Sequence, residues 1–249
     1  MINNHKIAVV IPAYNEGLLI TSTIEGIPAY VDYIIVVDDS SEDNTSTNVR
    51  EIDRSGLILL THNKNYGAGR AIVSGYKEAL LLNCDIVAVM AGDGQMCPGD
   101  LLNILAPIIE GKANYSKGNR FISKDCILIM PKLRVFGNFC FSIISCIASG
   151  YYHIFDTQCG YTAIDKDTLL KLDLNNLYFG YGYPTDFLAR LGMIYARVVD
   201  VPVKAIYNTE TSGIRPLPYT LTIIQLAIKL FIERQIQRTK RKLALIQNY

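Results

Sequence analysis

No run of apolar residues in this chain reaches the ~18 to 20 that a helix needs to cross a bilayer. The longest candidate, Phe139 to Ala148, is interrupted by Cys140, Ser142, Ser145 and Cys146. The chain therefore does not read as an integral membrane protein, although such a segment can lie on a membrane. CxxC pairs are also missing. The six cysteines, Cys84, Cys97, Cys126, Cys140, Cys146 and Cys159, are scattered, which argues against zinc and dithiol chemistry and for reduced thiols in a cytosolic protein. Nor is there an excess of charge. With 24 Lys and Arg against 23 Asp and Glu, a global nucleic-acid-binding surface is excluded, and electrostatic partners must be sought in local patches. The apolar stretch Ile7 to Ile11 is short and is followed at once by Pro12, Asn15 and Glu16, so it does not read as a signal peptide. Internal repeats and low-complexity linkers are lacking.

What is present is a chain of 249 residues, half of them hydrophobic and 19% charged, enough for one sizeable α/β core. Brief apolar runs at Ile7–Ile11, Tyr33–Val37, Leu57–Leu60 and Ile86–Met90 predict buried strands. Helical segments are expected between and after them, near Glu16–Ile27, Asp43–Arg54, Gly69–Leu82 and Pro98–Glu110. This alternation predicts a mostly parallel sheet with helices on both faces. Beyond it, Lys112–Gly118, Gly160–Ile164 and Arg197–Val201 read as extended, whereas Leu133–Ala148, Pro184–Tyr195 and a last segment from Tyr219 towards Leu245 read as helical.

In such sheets functional groups gather in loops beyond the carboxyl ends of the strands, and the polar motifs sit there. After the second strand come Asp38, Asp39, Ser40, Ser41, Asp43 and Thr45. Their carboxylates suit a nucleobase N–H or ribose hydroxyls, or the capping of the next helix. After the fourth strand comes Gly92-Asp93-Gly94-Gln95, where glycines allow close backbone approach and Asp93 offers the hard oxygen that Mg²⁺ or Mn²⁺ favours. The segment Asn65-Tyr66-Gly67-Ala68-Gly69 is not a dinucleotide fingerprint, because Ile72 stands at the third glycine and the segment follows the third strand. No GxxxxGK[ST] occurs, so P-loop chemistry is excluded as well.

Taken in order, Pro12-Ala13-Tyr14-Asn15-Glu16, Val37 to Thr45, Asn65 to Gly69 and Gly92 to Gln95 resemble the signature of family 2 glycosyltransferases. Within that family the resemblance, over residues 6 to 215, is to the dolichyl-phosphate mannosyltransferase-like branch. It implies a GT-A (nucleotide-diphospho-sugar transferase) α/β fold, a mostly parallel central sheet flanked by helices, spanning residues 1–215. A C-terminal amphipathic, membrane-associating helical segment, 216–249, would follow. It also implies a nucleotide-diphosphate sugar donor (UDP- or GDP-sugar), Mg²⁺ or Mn²⁺, and inversion at the sugar. Carried over by position, Pro12, Tyr14, Glu16, Asn65, Gly67 and Gly92 line the donor pocket, Asp39 contacts the base, and Asp93 with Gln95 holds the metal–diphosphate. Ala91 stands where the pattern has a first aspartate, so the acidic pair is reduced to Asp93. Ser40 replaces a usual glycine, and Ala68 a common lysine.

Gly118-Asn119-Arg120 resembles the family's Gly-Ser-Arg segment, and the fork of Arg120 suits phosphate oxygens. Asp156-Thr157-Gln158-Cys159-Gly160-Tyr161 resembles the acceptor-side Asp-x-x-x-Gly-Phe stretch, with Asp156 orienting the acceptor. Asp186 occupies the place of a catalytic carboxylate, and it equally suits a helix N-terminus. Arg134 and Arg215 are further phosphate candidates, whereas His153 reads as an ordinary member of an aromatic cluster. The expected acceptor is a polyprenyl phosphate at the inner face of the membrane. Leu133–Ala148 and a tail ending in Arg234, Arg238, Lys240, Arg241 and Lys242 would engage the lipid. A saccharide acceptor and a non-catalytic nucleotide-sugar-binding scaffold are the alternatives; a homo-oligomer is compatible with either.

Overall fold

The structure, a computed structural model, describes residues 1–122, 132–180, 182–204, 206 and 216–247, with only the backbone for 132–134, 136, 216–219 and 245–247. Seven strands form one sheet: β1 (Ile7–Ala13), β2 (Tyr33–Asp38), β3 (Leu57–Thr61), β4 (Ile86–Val89), β5 (Tyr115–Asn119), β6 (Thr162–Asp165) and β7 (Val198–Pro202), in the order β3-β2-β1-β4-β6-β5-β7. Every pairing is parallel except the two made by β6, which runs against β4 and β5. The sheet is thus mostly parallel, as expected, with one reversed strand. That reversal has a consequence for function. Strands β1 to β5 and β7 all end on the same edge, and the segment before β6 arrives at that edge too. Register places Ala13 beside Asp38 and Asp38 beside Thr61, so the first three motif loops depart from a single line.

The strands read as continuous apolar runs because both faces are covered. Odd residues of β1 pack with Ile34, Val36, Ile20, Ile24 and Leu105 on one side. Even residues pack with Ile35, Val37, Val73, Tyr76 and Phe187 on the other. The helices are α1 (Ile20–Gly26), α2 (Thr45–Arg50), α3 (Ala68–Leu81), α4 (Leu101–Ile109, entered through a 3₁₀ turn at Pro98–Asp100), α5 (Lys132–Ser149), α6 (Lys166–Leu170), α7 (Tyr183–Met193) and α8 (Pro216–Gln247). Helix α1 begins four residues later than its pattern predicts, because the backbone of residues 15–17 is held by the loop after β2. Helix α2 ends earlier than predicted. Arg54 instead turns back onto the carbonyls of Ile24, Ile27 and Pro28, at 2.8, 2.8 and 3.1 Å, closing the end of α1.

Helix α5 is inverted relative to an ordinary surface helix. Ser142, Ser145, Ala148 and Ser149 are buried, while Phe139, Ile143 and Ile147 are exposed at 54%, 47% and 47%. The buried serines are satisfied, Ser145 by Thr185 at 2.7 Å and Ser142 by Thr157 at 3.2 Å. Helix α8 is not a loose appendage. It packs on α5 and α7 through Ala148, Ala189, Ala227 and Leu230, and Arg241 lies over the Tyr195 ring at 4.5 Å. Among the described residues no helix is long and apolar enough to cross a membrane. Cys84 and Cys159 are buried thiols, and Cys97, Cys140 and Cys146 are half-buried; Cys126 lies outside the described residues.

Candidate active site

The first two motif loops form one hydrogen-bonded unit. Asn15 adopts φ 58°; its N–H donates to Ser41 Oγ and its Oδ1 accepts from Glu42 N, each at 2.9 Å. Glu16 N–H donates to Thr45 Oγ1 at 2.8 Å and Gly17 N–H to Asp43 Oδ2 at 2.9 Å. Asp38, buried, accepts from Ser41 N at 2.9 Å and from the hydroxyls of Ser41 and Ser46. Ser40 sits at φ 66°, which explains why the family pattern has glycine there: a side chain in this region is strained. Burial alone would push the Asp43 carboxyl up, but hydrogen bonds from Thr45 and Gly17 outweigh it and hold Asp43 below the usual aspartate value. This pre-built wall leaves Tyr14 exposed and Pro12 and Glu16 half-buried beside it.

Asp39, the residue expected at the base, has its carboxylate bonded to the backbone of the Asn65–Gly67 loop. It is 2% exposed, and its carboxylate accepts from Tyr66 N at 3.0 and 3.1 Å and from Gly67 N at 2.6 Å. It also meets His62 Nδ1 at 2.6 Å. Asp39 therefore shapes the Asn65–Gly67 loop from beneath, and it is that loop which faces outward. Gly67 has φ 91°, and Asn65 Oδ1 accepts from its N–H at 3.1 Å. Sequence reasoning passed over His62. The available signal was a titratable side chain one residue past the end of a parallel strand, at the functional edge.

A strap, residues 176–180, crosses the start of α3. Arg70 lies over the Phe179 ring at 4.7 Å, and a Cβ on Gly69 would fall 2.7 Å from the Phe179 carbonyl oxygen, so only glycine fits. Asp186, in the first turn of α7, anchors the strap. Its carboxylate is 1% exposed, accepts from Tyr178 N at 2.9 Å and pairs with Arg190 Nε at 3.2 Å. The carboxylate expected to be catalytic thus sits in the first turn of α7, bonded to Tyr178 N and Arg190.

The Gly92–Gln95 loop lies against the first loop. A Cβ on Gly92 would meet Ile20, Ile11 and Glu16 Cγ at 3.2, 3.4 and 3.5 Å, and Gly92 O accepts from Thr23 Oγ1 at 3.3 Å. Asp93 Oδ1 accepts from Gln95 N at 3.0 Å, and Gly94 has φ 69°. The turn holds Asp93 half-buried at the sheet edge. Among the described residues no three acidic, His or Cys side chains cluster as a metal site. Asp93 still fits Mg²⁺ or Mn²⁺, because such ions commonly take one or two protein carboxylates and complete their shell with substrate phosphates and water.

On the other side, Arg120 and Asp156 form a bidentate pair, Nε to Oδ2 at 2.7 Å and Nη2 to Oδ1 at 2.9 Å, with Arg120 N also on Oδ2 at 3.0 Å. Asp156 is fully buried and both its carboxylate oxygens are bonded to Arg120. Beneath lies a buried charge network. Lys117 donates to the Cys159 carbonyl, and burial pulls it below the ordinary lysine value, opposed by Asp156 and Asp200. Burial pushes Asp200 up against hydrogen bonds from Phe155 N and Asn119. Lys117 and Asp200, like His62, belong to none of the sequence motifs. His153 Nε2 donates to the Val198 carbonyl at 2.9 Å and its ring meets Tyr151 edge-on at 5.9 Å, an aromatic-cluster histidine. Arg215 and the Arg134 side chain lie outside the described residues.

Loops gathered at one edge of a mostly parallel sheet with one reversed strand, built from these motifs, define a GT-A glycosyltransferase. The crystal structure of glucosyl-3-phosphoglycerate synthase from Mycobacterium tuberculosis, in complex with Mn²⁺, UDP and glucosyl-3-phosphoglycerate, shares this fold. It is 21% identical, the match covers 93% of this chain and 80% of that one, and the TM-score is 0.64. Residues 8–172 match glycosyl transferase family 2, and the chain belongs to that family. Among its relatives is the UDP-N-acetylglucosamine–dolichyl-phosphate N-acetylglucosaminyltransferase of Methanococcus voltae, 31% identical over 224 residues, 84% of this chain and 88% of that protein. Another is the undecaprenyl-phosphate mannosyltransferase of Micrococcus luteus, 27% identical over 203 residues, 80% of this chain and 82% of that protein.

Proposed function

We propose that the enzyme transfers a sugar from a nucleotide-diphosphate sugar to a polyprenyl phosphate, with inversion. The observation that carries the acceptor class is the placement of Asp186. A hydroxyl acceptor needs a general base, and the best sequence candidate is committed to Tyr178 N and Arg190. A phosphate acceptor is already ionised near neutral pH and needs no base. Relatives named for transfer to dolichyl and undecaprenyl phosphate support the same reading. In one displacement, an acceptor phosphate oxygen forms a bond to the anomeric carbon as the bond to the donor's diphosphate breaks. Pro12, Tyr14, Glu16, Asn65, Gly67 and Gly92 line the donor pocket. Asp93, with Gln95 beside it, would hold the Mg²⁺ or Mn²⁺ that supplies Lewis-acid neutralisation of the diphosphate. Arg120, held by Asp156, places a fixed positive charge where phosphate charge develops.

The same proposal includes a peripheral seat on the membrane. Phe139, Ile143 and Ile147 on α5, and Ile224, Ile228, Ile232 and Ile236 on α8, a helix packed against α5, are exposed apolar side chains, of the kind that seats a protein on a lipid surface. Exposed Arg238, Lys240 and Lys242 follow on α8, suited to anionic headgroups. Arg241 and Arg234 serve a different purpose, docking α8 onto Tyr195 and the Ile147 carbonyl.

Two measurements test these readings. Asp186→Asn keeps an acceptor oxygen for Tyr178 N and should retain kcat within about threefold in transfer to a short-chain polyprenyl phosphate. No transfer to any polyprenyl phosphate, with a loss of ~100-fold in turnover of a saccharide acceptor, would instead install Asp186 as a base. Changing Arg238, Lys240 and Lys242 together to Gln should weaken sedimentation with anionic liposomes by roughly 100-fold, at about 1 kcal/mol per basic residue. Added salt should shrink the difference; equal binding of variant and wild type would remove the basic patch from the membrane seat.

A further inference from the structure

We propose that His62 is a positioning residue for donor binding: it fixes the carboxylate of Asp39, which in turn fixes the Tyr66–Gly67 backbone that walls the nucleoside side of the pocket. The inference rests on the donor-site reading above and goes beyond it, since no family motif quoted for this chain includes His62. Three elements meet at its ring. Nδ1 lies 2.6 Å from Asp39 Oδ1 at the end of β2, and Nε2 lies 2.9 Å from Ser74 Oγ on α3. The ring edge packs against Tyr66, centroids 5.4 Å apart. The side chains of His62 and Asp39 are only 14% and 4% exposed, so water cannot readily take over the bonds. Facing a carboxylate, which can only accept, Nδ1 donates to Asp39 Oδ1, and Nε2 shares a hydrogen bond with the Ser74 hydroxyl.

Asp39 gathers the donors that would otherwise leave the loop unanchored, Tyr66 N and Gly67 N. These N–H groups stay aligned only while the carboxylate plane is fixed, and His62 holds it through Oδ1. The Asp39–His62–Ser74 line is not a nucleophilic triad. Ser74 sits inside α3, where backbone N–H groups are used by the helix and cannot form an oxyanion hole.

The geometry separates the two ring nitrogens, and so do the test variants. An Asn side chain places its amide N–H near the position of Nδ1, whereas Gln places its amide near Nε2. Calorimetry on the full chain with Mn²⁺, using UDP and GDP as probes, identifies the tighter nucleotide for the wild type. His62→Gln and His62→Ala should then weaken that nucleotide by about tenfold or more, while His62→Asn stays within about threefold. In turnover with the matching sugar nucleotide, the loss should appear in donor KM, with kcat at saturating donor unchanged within about twofold. A purely structural histidine would cost Asn and Gln variants alike, or lower kcat without changing KM. Equal affinity in His62→Gln and wild type, or equal losses in the Asn and Gln variants, overturns the proposal. Failure of the wild type to bind either nucleotide overturns the donor-site reading itself, and this inference with it.

Discussion

Asp93→Ala should abolish metal-dependent nucleotide binding, lowering UDP or GDP affinity in the presence of Mn²⁺ by roughly 100-fold, about 2.7 kcal/mol. Asp93 is the one carboxylate in its loop, and the backbone has been shaped to hold it: Gln95 N–H fixes Oδ1 at 3.0 Å and Gly94 turns the chain at φ 69°. Ala91 cannot substitute for it, because its side chain has no oxygen. Calorimetry with and without Mn²⁺ reads the effect, and affinity unchanged by the mutation in Mn²⁺ would remove Asp93 from the metal–diphosphate site. Ala91→Asp should preserve or strengthen Mn²⁺ dependence by restoring a second carboxylate. Strong weakening would mean that the loop packs around the alanine methyl.

Asp156→Ala has the largest expected effect on stability. It would leave Arg120, 12% exposed at its side chain, without the bidentate partner that neutralises it. Breaking a buried pair from one side typically costs about 3–5 kcal/mol, and for a domain of this size that corresponds to a fall in Tm of roughly 6–20 °C. Activity should fall further than the folded fraction does, because the guanidinium is no longer aimed. Asp156→Asn keeps one acceptor for Arg120 and should lose less of both. Thermal unfolding beside activity at a temperature where each variant is folded separates the two effects. A Tm within about 2 °C of wild type in Asp156→Ala would show that water or another group takes over the pairing.

The alternation of strands and helices, the edge at which the motifs gather and the family were legible in the residues themselves. Brief continuous apolar runs rich in β-branched residues, such as Ile7–Ile11 and Tyr33–Val37, read as strands covered on both faces, and a parallel sheet puts every following loop on one edge. Helix starts were less legible, because the N–H groups of Glu16 and Gly17 donate to Thr45 and Asp43, residues distant in sequence, and are lost to α1. The roles of the acidic residues divided in the same way. Asp93 is held by its own neighbours, and its loop could be read locally. Asp39, Asp156 and Asp186 each turned inward, onto Gly67, Arg120 and Tyr178, because their donors arrive from other parts of the chain.

Two matters belonged to the tertiary structure alone. One is His62, which carries no motif and takes its meaning from Asp39 on one side and Ser74 on the other. The other is the sense of α5. Its sequence contains both a serine face and an isoleucine face, and periodicity reveals the two faces without saying which is inside. Ser145 meets Thr185, and Ser142 meets Thr157, so the polar face is buried and Phe139, Ile143 and Ile147 are turned outward. By itself the sequence determined the fold class and the edge where chemistry occurs, through its alternating apolar runs, and the family, through the resemblance of its four ordered motifs. Which side chains face the substrate, and which hold the walls, depended on hydrogen bonds between residues far apart in the chain, and only the folded molecule brings those together.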